Sequence, residues 1–82
     1  MRLDKWLYYS RFFKTRAISH NICIDGSVLV NKYKKFNSSY NLCINDIITL
    51  IANKEIKVIQ VLKIPKNRVS PKDTNEIYRV LK

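Results

Sequence analysis

Two short amphipathic helices joined by a basic hinge are predicted within residues 2–26, RLDKWLYYSRFFKTRAISHNICIDG. In the first helix, Leu3, Trp6, Leu7 and Ser10 recur at the i, i+3, i+4, i+7 spacing of a stripe that faces a core. Because Trp6 lies in the middle of this stripe, we expect it to be buried. A helix this short needs another element to cover its apolar side.

Basic and aromatic side chains lie beside the stripe and after it. Arg2, Lys5 and Tyr9 fall within about 60° of the helix circumference next to the apolar side. The hinge that follows, Arg11-Phe12-Phe13-Lys14, places two cations around two aromatic rings. A chain of this size needs large apolar groups inside, so these rings are candidates for the core.

The second helix has a start signal and a stop signal. Thr15 is the predicted N-cap, since its hydroxyl can accept a hydrogen bond from a first-turn N–H. Gly26 is the only glycine of the chain and stands where a helix often ends in the left-handed region. Four residues are expected to share the side that packs on the first helix: Ile18, Ser19, Ile22 and Cys23.

The charge of the chain indicates a polyanionic partner. Sixteen Lys and Arg against six Asp and Glu give a net charge of +10 over 82 residues. Residues 1–36 carry eight basic and two acidic groups, residues 37–62 two of each, and residues 63–82 six and two. This segregation favours a dedicated binding face for nucleic acid or for an anionic membrane surface.

Several other classes of protein find little support. The sequence has no apolar run of the roughly 20 residues that span a bilayer, and no signal peptide is visible, so we expect a cytoplasmic protein. Cys23 and Cys43 are then expected to be reduced, buried thiols. With one histidine and no catalytic motif, we expect no metal, no cofactor and no enzymatic activity. Asp4 and Asp25 are interpreted as helix-end or salt-bridge groups.

After Gly26 the pattern changes to short strands. A hairpin is predicted from strand 28–30, the turn Asn31-Lys32 and a returning strand 33–36. Further extended segments are expected at 40–44, 47–51 and 56–62. The predicted class is α+β, with two N-terminal helices on a small, mostly antiparallel sheet. We expect residues 1–64 to form this domain and residues 65–82 a basic C-terminal extension, either a mobile tail or a short helix over 74–81.

Five segments in this order carry a family resemblance: RLDKWL, FKTR, the span from Thr15 to Gly26, GSVLVN and NDIITL. Together they resemble the RNA-binding domain named after ribosomal protein S-four, and in particular its short stand-alone members. The resemblance implies the helix pair and small sheet already expected. The chain departs from the usual pattern at three positions, with Lys32 and Asn45 in place of turn glycines and Ser19 in place of an alanine.

The resemblance also implies an RNA-binding face along the hinge, the start of the second helix and the first hairpin. Carried over by position, this face comprises Arg2, Lys5, Arg11, Lys14, Thr15, Arg16, Asn31 and Lys32, with Lys34 and Lys35 on the same hairpin. A helix N-terminus and an arginine beside it suit a phosphate. Arg16 is therefore favoured as a binding residue over a merely solvated one, whereas His20 is interpreted as a surface histidine. Tyr8, Tyr9, Phe12, Phe13 and Tyr33 are candidates for stacking on unpaired bases.

The resemblance implies a monomeric protein that binds ribosomal RNA and tRNA on the large ribosomal subunit. There it would stabilise peptidyl-tRNA during ribosome quality control or heat-shock recovery. Two alternatives stay open from the sequence. One is a ribosome-assembly factor that binds ribosomal RNA, and the other is a basic protein held at a membrane surface by Trp6, Phe12 and Phe13.

Overall fold

The computed structural model describes residues 1–34, 39–52 and 54–82, without the side chains of Tyr33, Lys34 and Ala52. Its elements, in chain order, are α1 (Leu3–Tyr9), α2 (Arg16–Ile24), β1 (Val28–Val30), β2 (Tyr33–Lys34), β3 (Ile47–Ala52), β4 (Glu55–Val61), a 3-10 helix (Pro71–Glu76) and β5 (Tyr78–Val80). The strands form one antiparallel sheet in the order β2-β1-β3-β4-β5. The expected α+β class is confirmed.

The helix pair covers one face of the sheet. All four residues of the predicted α1 stripe are fully buried, Trp6 among them. They pack in one cluster with inward-facing strand residues such as Val28, Ile48 and Ile59. Successive side chains along β5 point to opposite faces of the sheet. Val80 pairs with the buried Ile59, whereas Arg79 pairs with Gln60 and points to the opposite face. Arg79 is therefore an exposed cation on the face away from the helices.

The boundaries of α2 follow the predicted signals. Thr15 has extended backbone angles, and its hydroxyl accepts a hydrogen bond from the Ile18 N–H at 3.1 Å. Gly26 follows the helix with φ of 84°, the left-handed conformation that a residue with a Cβ adopts at a cost. The packing side is partly different from the expected one. Ser19 and Cys23 are fully buried, but Ile18 is exposed, since contact with α1 centres on the small Ser19 side chain and leaves Ile18 at the edge.

The two turns with unusual residues form without glycine. Asn31 and Lys32 both have positive φ, 52° and 75°, as a tight hairpin turn requires. Asn45 has φ of 76° and precedes Asp46, which leads into β3. The left-handed region costs a non-glycine residue about 1 kcal/mol, and asparagine tolerates it better than lysine. Lys32 is thus held in a strained backbone conformation at the tip of the hairpin.

The extended strand expected at 40–44 is wrong. The Leu3 N–H donates to the Tyr40 carbonyl and the Leu42 N–H to the Met1 carbonyl, which leaves a lone bridge between Arg2 and Asn41. Because α1 begins at Leu3, this pairing cannot extend into a ladder. Leu42 points into the core. Its neighbour Cys43 therefore faces outward, so the expectation of a buried Cys43 is also wrong.

The helix expected over 74–81 is also wrong. Pro71 begins a 3-10 helix that ends before Ile77, and the chain then forms β5 along the free edge of β4. Pairing with β5 satisfies backbone groups on the edge of β4, which would stay unpaired if the segment were helical. Ile77 is buried, whereas Val80 and Leu81 are about half exposed.

Candidate nucleic-acid interface

A buried carboxylate lies at the contact between the two helices. Asp4, in the first turn of α1, is only 2% exposed. Arg2 donates two hydrogen bonds to it, from Nε and Nη2, each 3.1 Å long. From α2, the His20 Nδ1 atom lies 3.2 Å from Asp4 Oδ2, and the Arg16 guanidinium lies 3.9 Å from Oδ1. One carboxylate thus connects three basic side chains on two elements.

The three basic side chains keep nearly half of their surface in solvent. The exposed fractions are 45% for Arg2, 48% for Arg16 and 42% for His20, against 2% for Asp4 beneath them. Two guanidinium charges against one carboxylate leave a surplus of +1 before His20 is counted. We call Arg2, Arg16 and His20 over Asp4 the cationic cluster. The cationic cluster exposes net positive charge to solvent on side chains that the buried Asp4 carboxylate contacts.

The cationic cluster lowers the pKa of Asp4. Burial alone would raise the pKa of this carboxyl group. Hydrogen bonds from Arg2 and His20, together with the charges of Arg2 and Arg16, outweigh burial and hold its pKa below the ordinary value. The hydrogen bonds and charge of Asp4 raise the pKa of Arg2 in turn. Asp4 therefore stays ionised at neutral pH, as the salt-bridge interpretation of the sequence expected.

The lowered pKa of Asp4 predicts a component of acid instability. Protonation is disfavoured in the folded state, so Asp4 contributes stability above the unfolded carboxyl pKa of about 4. This contribution is lost as the pH falls through the lower folded-state pKa. In urea unfolding, we expect Asp4→Asn to be less stable than the wild type at pH 7 and the two proteins to converge below about pH 4. A stability difference that is constant with pH would contradict the ion-pair account.

Lys5 and Tyr9 extend the cluster along α1. Both are partly exposed, and the Lys5 ammonium lies 5.3 Å from the centre of the Tyr9 ring. They occupy the side of α1 next to the buried stripe, as the helical spacing predicted. A cation held beside a ring suits a phosphate and an adjacent base.

The hinge between the helices carries the next predicted residues. Arg11 and Lys14 are exposed, and Arg11 has φ of 67°, which turns the chain out of α1. Thr15 faces the start of α2 as its N-cap, so its hydroxyl is engaged with the Ile18 N–H. Arg16, the first residue of α2, joins the hinge to the cationic cluster.

The C-terminal segment holds this hinge in place, a role that the sequence did not reveal. The Arg68 guanidinium lies 4.4 Å from the Tyr8 ring centre and donates to the carbonyls of Tyr8 and Phe13, each at 3.2 Å. The Val69 N–H donates to the Tyr9 carbonyl, and Arg11 donates back to the Val69 carbonyl. These contacts join residues that are 55 to 60 positions apart, and no local pattern signals them.

The hairpin contributes Lys32, while Asn31 has a structural role. The Asn31 side chain donates to Asp46 Oδ1 at 3.1 Å and accepts from the Ile47 N–H at 2.9 Å, so it fastens the turn to β3. Lys32 is exposed at the tip. Lys34 lies in β2 with its side chain outside the description, and Lys35 lies outside the described residues. The expected contribution of these two lysines stays a prediction.

Most of the candidate stacking rings are engaged inside the protein. Phe12 and Phe13 pack partly buried against the core, and Phe12 lies 4.5 Å from the Tyr78 ring centre. The Tyr8 ring is covered by Arg68. The side chain of Tyr33 is outside the description, which leaves Tyr9 as the described candidate with a ring at the edge of the cationic cluster.

Two other kinds of feature are absent from residues 1–34, 39–52 and 54–82. No group of three or more His, Cys, Asp or Glu side chains is placed to hold a metal ion. None of the helices in this part of the chain has the length and apolar character needed to cross a membrane.

Comparison with known proteins assigns the family. Residues 1–48 match the S4 domain family. The chain is 28% identical over 81 residues to the RQC P-site tRNA stabilizing factor of Streptococcus pneumoniae strain R6, covering 99% of this chain and 90% of that protein. It superposes with a TM-score of 0.90 on Heat Shock Protein 15 of Vibrio cholerae, solved as a trimer, with 34% identity over 98% of this chain and 80% of that one. With more than half of its length matched by the family, and its fold shared with a 34% identical protein, this chain belongs to the S4 domain family.

Proposed function

We propose that this protein binds RNA on the large ribosomal subunit and stabilises peptidyl-tRNA there, in ribosome quality control or in heat-shock recovery. The observation that carries the proposal is the cationic cluster beside the hinge and the capped start of α2. Structured RNA presents phosphates and 2′-hydroxyl groups in a fixed arrangement, and a rigid basic face matches it. The action is steric and electrostatic, with no covalent bond formed or broken.

The similarity to known proteins supports the specific role. The Streptococcus pneumoniae relative is named for stabilising tRNA in the P site, and it aligns with nearly the whole of this chain. The Vibrio cholerae relative is a heat shock protein of the same fold. A ribosomal role places the protein in the cytoplasm. We also propose that one copy of the protein acts on each large subunit. Because the Vibrio cholerae relative was solved as a trimer, the oligomeric state of this protein should be measured by light scattering.

The structure does not favour the membrane-surface alternative. Insertion of α1 into a membrane requires its large apolar groups to be available. Trp6 is fully buried, and Phe12 and Phe13 pack against the core. The exposed cations then have no apolar anchor beside them on α1.

Recovery of the bound RNA tests the proposal. We expect tagged protein to sediment with mature large subunits in a sucrose gradient and to co-purify large-subunit ribosomal RNA together with tRNA. Its affinity should fall with salt at a log–log slope equivalent to several phosphates. Sedimentation with precursor particles lacking tRNA would identify an assembly factor instead. Recovery of no RNA at low salt, with binding to anionic vesicles, would overturn RNA binding.

A further inference from the structure

We propose that His20 is an additional RNA-phosphate ligand, positioned by Asp4 as the third side chain of the cationic cluster, and that RNA binding is therefore linked to protonation of His20. The inference rests on the proposed RNA-binding function and adds to it a ligand residue, a positioning residue and a pH dependence. The sequence alone favoured an ordinary surface histidine at this position.

The placement of His20 follows from the packing of the two helices. The buried Ser19 hydroxyl donates to the Asp4 backbone carbonyl at 2.7 Å and so fixes α2 against the first turn of α1. The next residue, His20, then faces the Asp4 carboxylate with Nδ1 3.2 Å away. His20 also lies one turn after Arg16, on the same side of α2. The ring is thus held at one nitrogen and 42% of the side chain remains exposed.

The two ring nitrogens of His20 explain why RNA binding would be linked to protonation. With Nδ1 donating to the Asp4 carboxylate, the other nitrogen of a neutral imidazole is an acceptor and repels a phosphate oxygen. Donation from both nitrogens, to Asp4 and to a phosphate, requires the imidazolium form. The charged groups facing His20 are Asp4 from α1, Arg2 before it and Arg16 from α2. A bound phosphate adds negative charge beside two arginines and favours the protonated ring.

Asp4 acts as a positioning residue in this arrangement. It is too deeply buried to contact RNA, and its negative charge would weaken RNA binding if it acted only by charge. Its contacts hold Arg2, Arg16 and His20 in place before RNA binds. The entropy that these side chains lose on binding is therefore smaller. The two effects have opposite signs, so removal of the charge distinguishes them.

The pH profile of RNA affinity tests the role of His20. The probe is deproteinised large-subunit ribosomal RNA, at constant ionic strength, with the full chain. We expect the wild-type affinity to fall severalfold from pH about 6 to about 8. His20→Gln, which keeps a polar side chain of similar size without the charge, should bind about two- to tenfold more weakly at pH 6 and lose most of this dependence. Asn21→Ala, at an exposed neighbouring position on α2, is the control and should retain the wild-type profile.

Asp4→Asn tests the positioning role with the same RNA. If Asp4 positions the cluster, the variant should bind about tenfold more weakly despite its more positive net charge, with a salt slope lower by about one phosphate. Equal or tighter binding by the folded variant would overturn that role. If this variant does not fold, the His20→Gln profile decides. Identical profiles for His20→Gln and wild type, with Arg16→Ala still weakened, would overturn the inference and leave the proposed function standing. Absence of wild-type binding at every pH would overturn the function itself.

Discussion

Replacement of Trp6 by alanine should lower the free energy of unfolding by about 3–5 kcal/mol. The side chain is fully buried between the helices and the sheet. Its indole N–H donates to the Lys63 carbonyl at 2.9 Å, which joins α1 to the segment after β4. Removal creates a cavity and leaves the Lys63 carbonyl without this donor. For a domain of this size, that loss is a large part of the total stability.

Chemical denaturation with a matched control measures this effect. Ile24→Ala, at the half-exposed last residue of α2, should change stability by no more than about 0.5 kcal/mol. Trp6→Phe should lose less than Trp6→Ala, because it retains most of the packing although it loses the hydrogen bond to the Lys63 carbonyl. An unchanged melting temperature in Trp6→Ala would mean that α1 is rotated and that a different side faces the sheet.

Replacement of Arg16 by alanine should weaken RNA binding by about 1–3 kcal/mol, about 5- to 150-fold, with little effect on stability. The guanidinium is about half exposed and lies 3.9 Å from Asp4, so its ion pair contributes little to folding. It stands at the first position of α2, where, under the proposed function, the helix dipole and a bidentate donor would act on the same phosphate.

Arg79→Ala is the matched control for this experiment. It removes the same charge from the sheet face opposite the helices, and we expect a much smaller loss of affinity. Binding by filter retention or fluorescence anisotropy at fixed salt compares the two variants. Equal losses in both would show that RNA responds to net charge rather than to the face built around α2.

The sequence predicted those features that depend on local signals. The α1 stripe follows from helical spacing, and the bounds of α2 follow from the Thr15 cap and the single glycine, Gly26. Nothing in the local pattern indicates that residues 40–42 pair with residues 1–3, where the start of α1 limits the pairing to a single bridge. Residues 74–81 have a helix-like apolar spacing, but the first three lie in the 3-10 helix, and the free edge of β4 determines the conformation of residues 78–80 as a strand. In both segments tertiary pairing overrides local pattern.

The candidate site was predictable as a set of residues but not as an arrangement. The basic hinge and the start of α2 were visible in the sequence, and the family resemblance implied that they form one binding face. Asp4 was expected to be a helix-end or salt-bridge group, and its position beneath Arg2, Arg16 and His20 depends on how the two helices pack. Arg68 belongs to the C-terminal extension, for which the sequence left two interpretations open, a mobile tail or a short helix. Its contacts to the hinge join residues more than 50 positions apart, which composition and spacing do not reveal.

The most direct test of the central claim, that the cationic cluster and the hinge form an RNA-binding face, is a titration of isotope-labelled protein with large-subunit RNA fragments followed by NMR. The account predicts that backbone amide shifts change from Arg11 through His20, around Arg2 and Lys5, and at the Lys32 turn. Amides of the outer sheet face, such as those around Arg79, should change little. Shifts concentrated on that outer face, or no shifts at saturating RNA, would contradict the account.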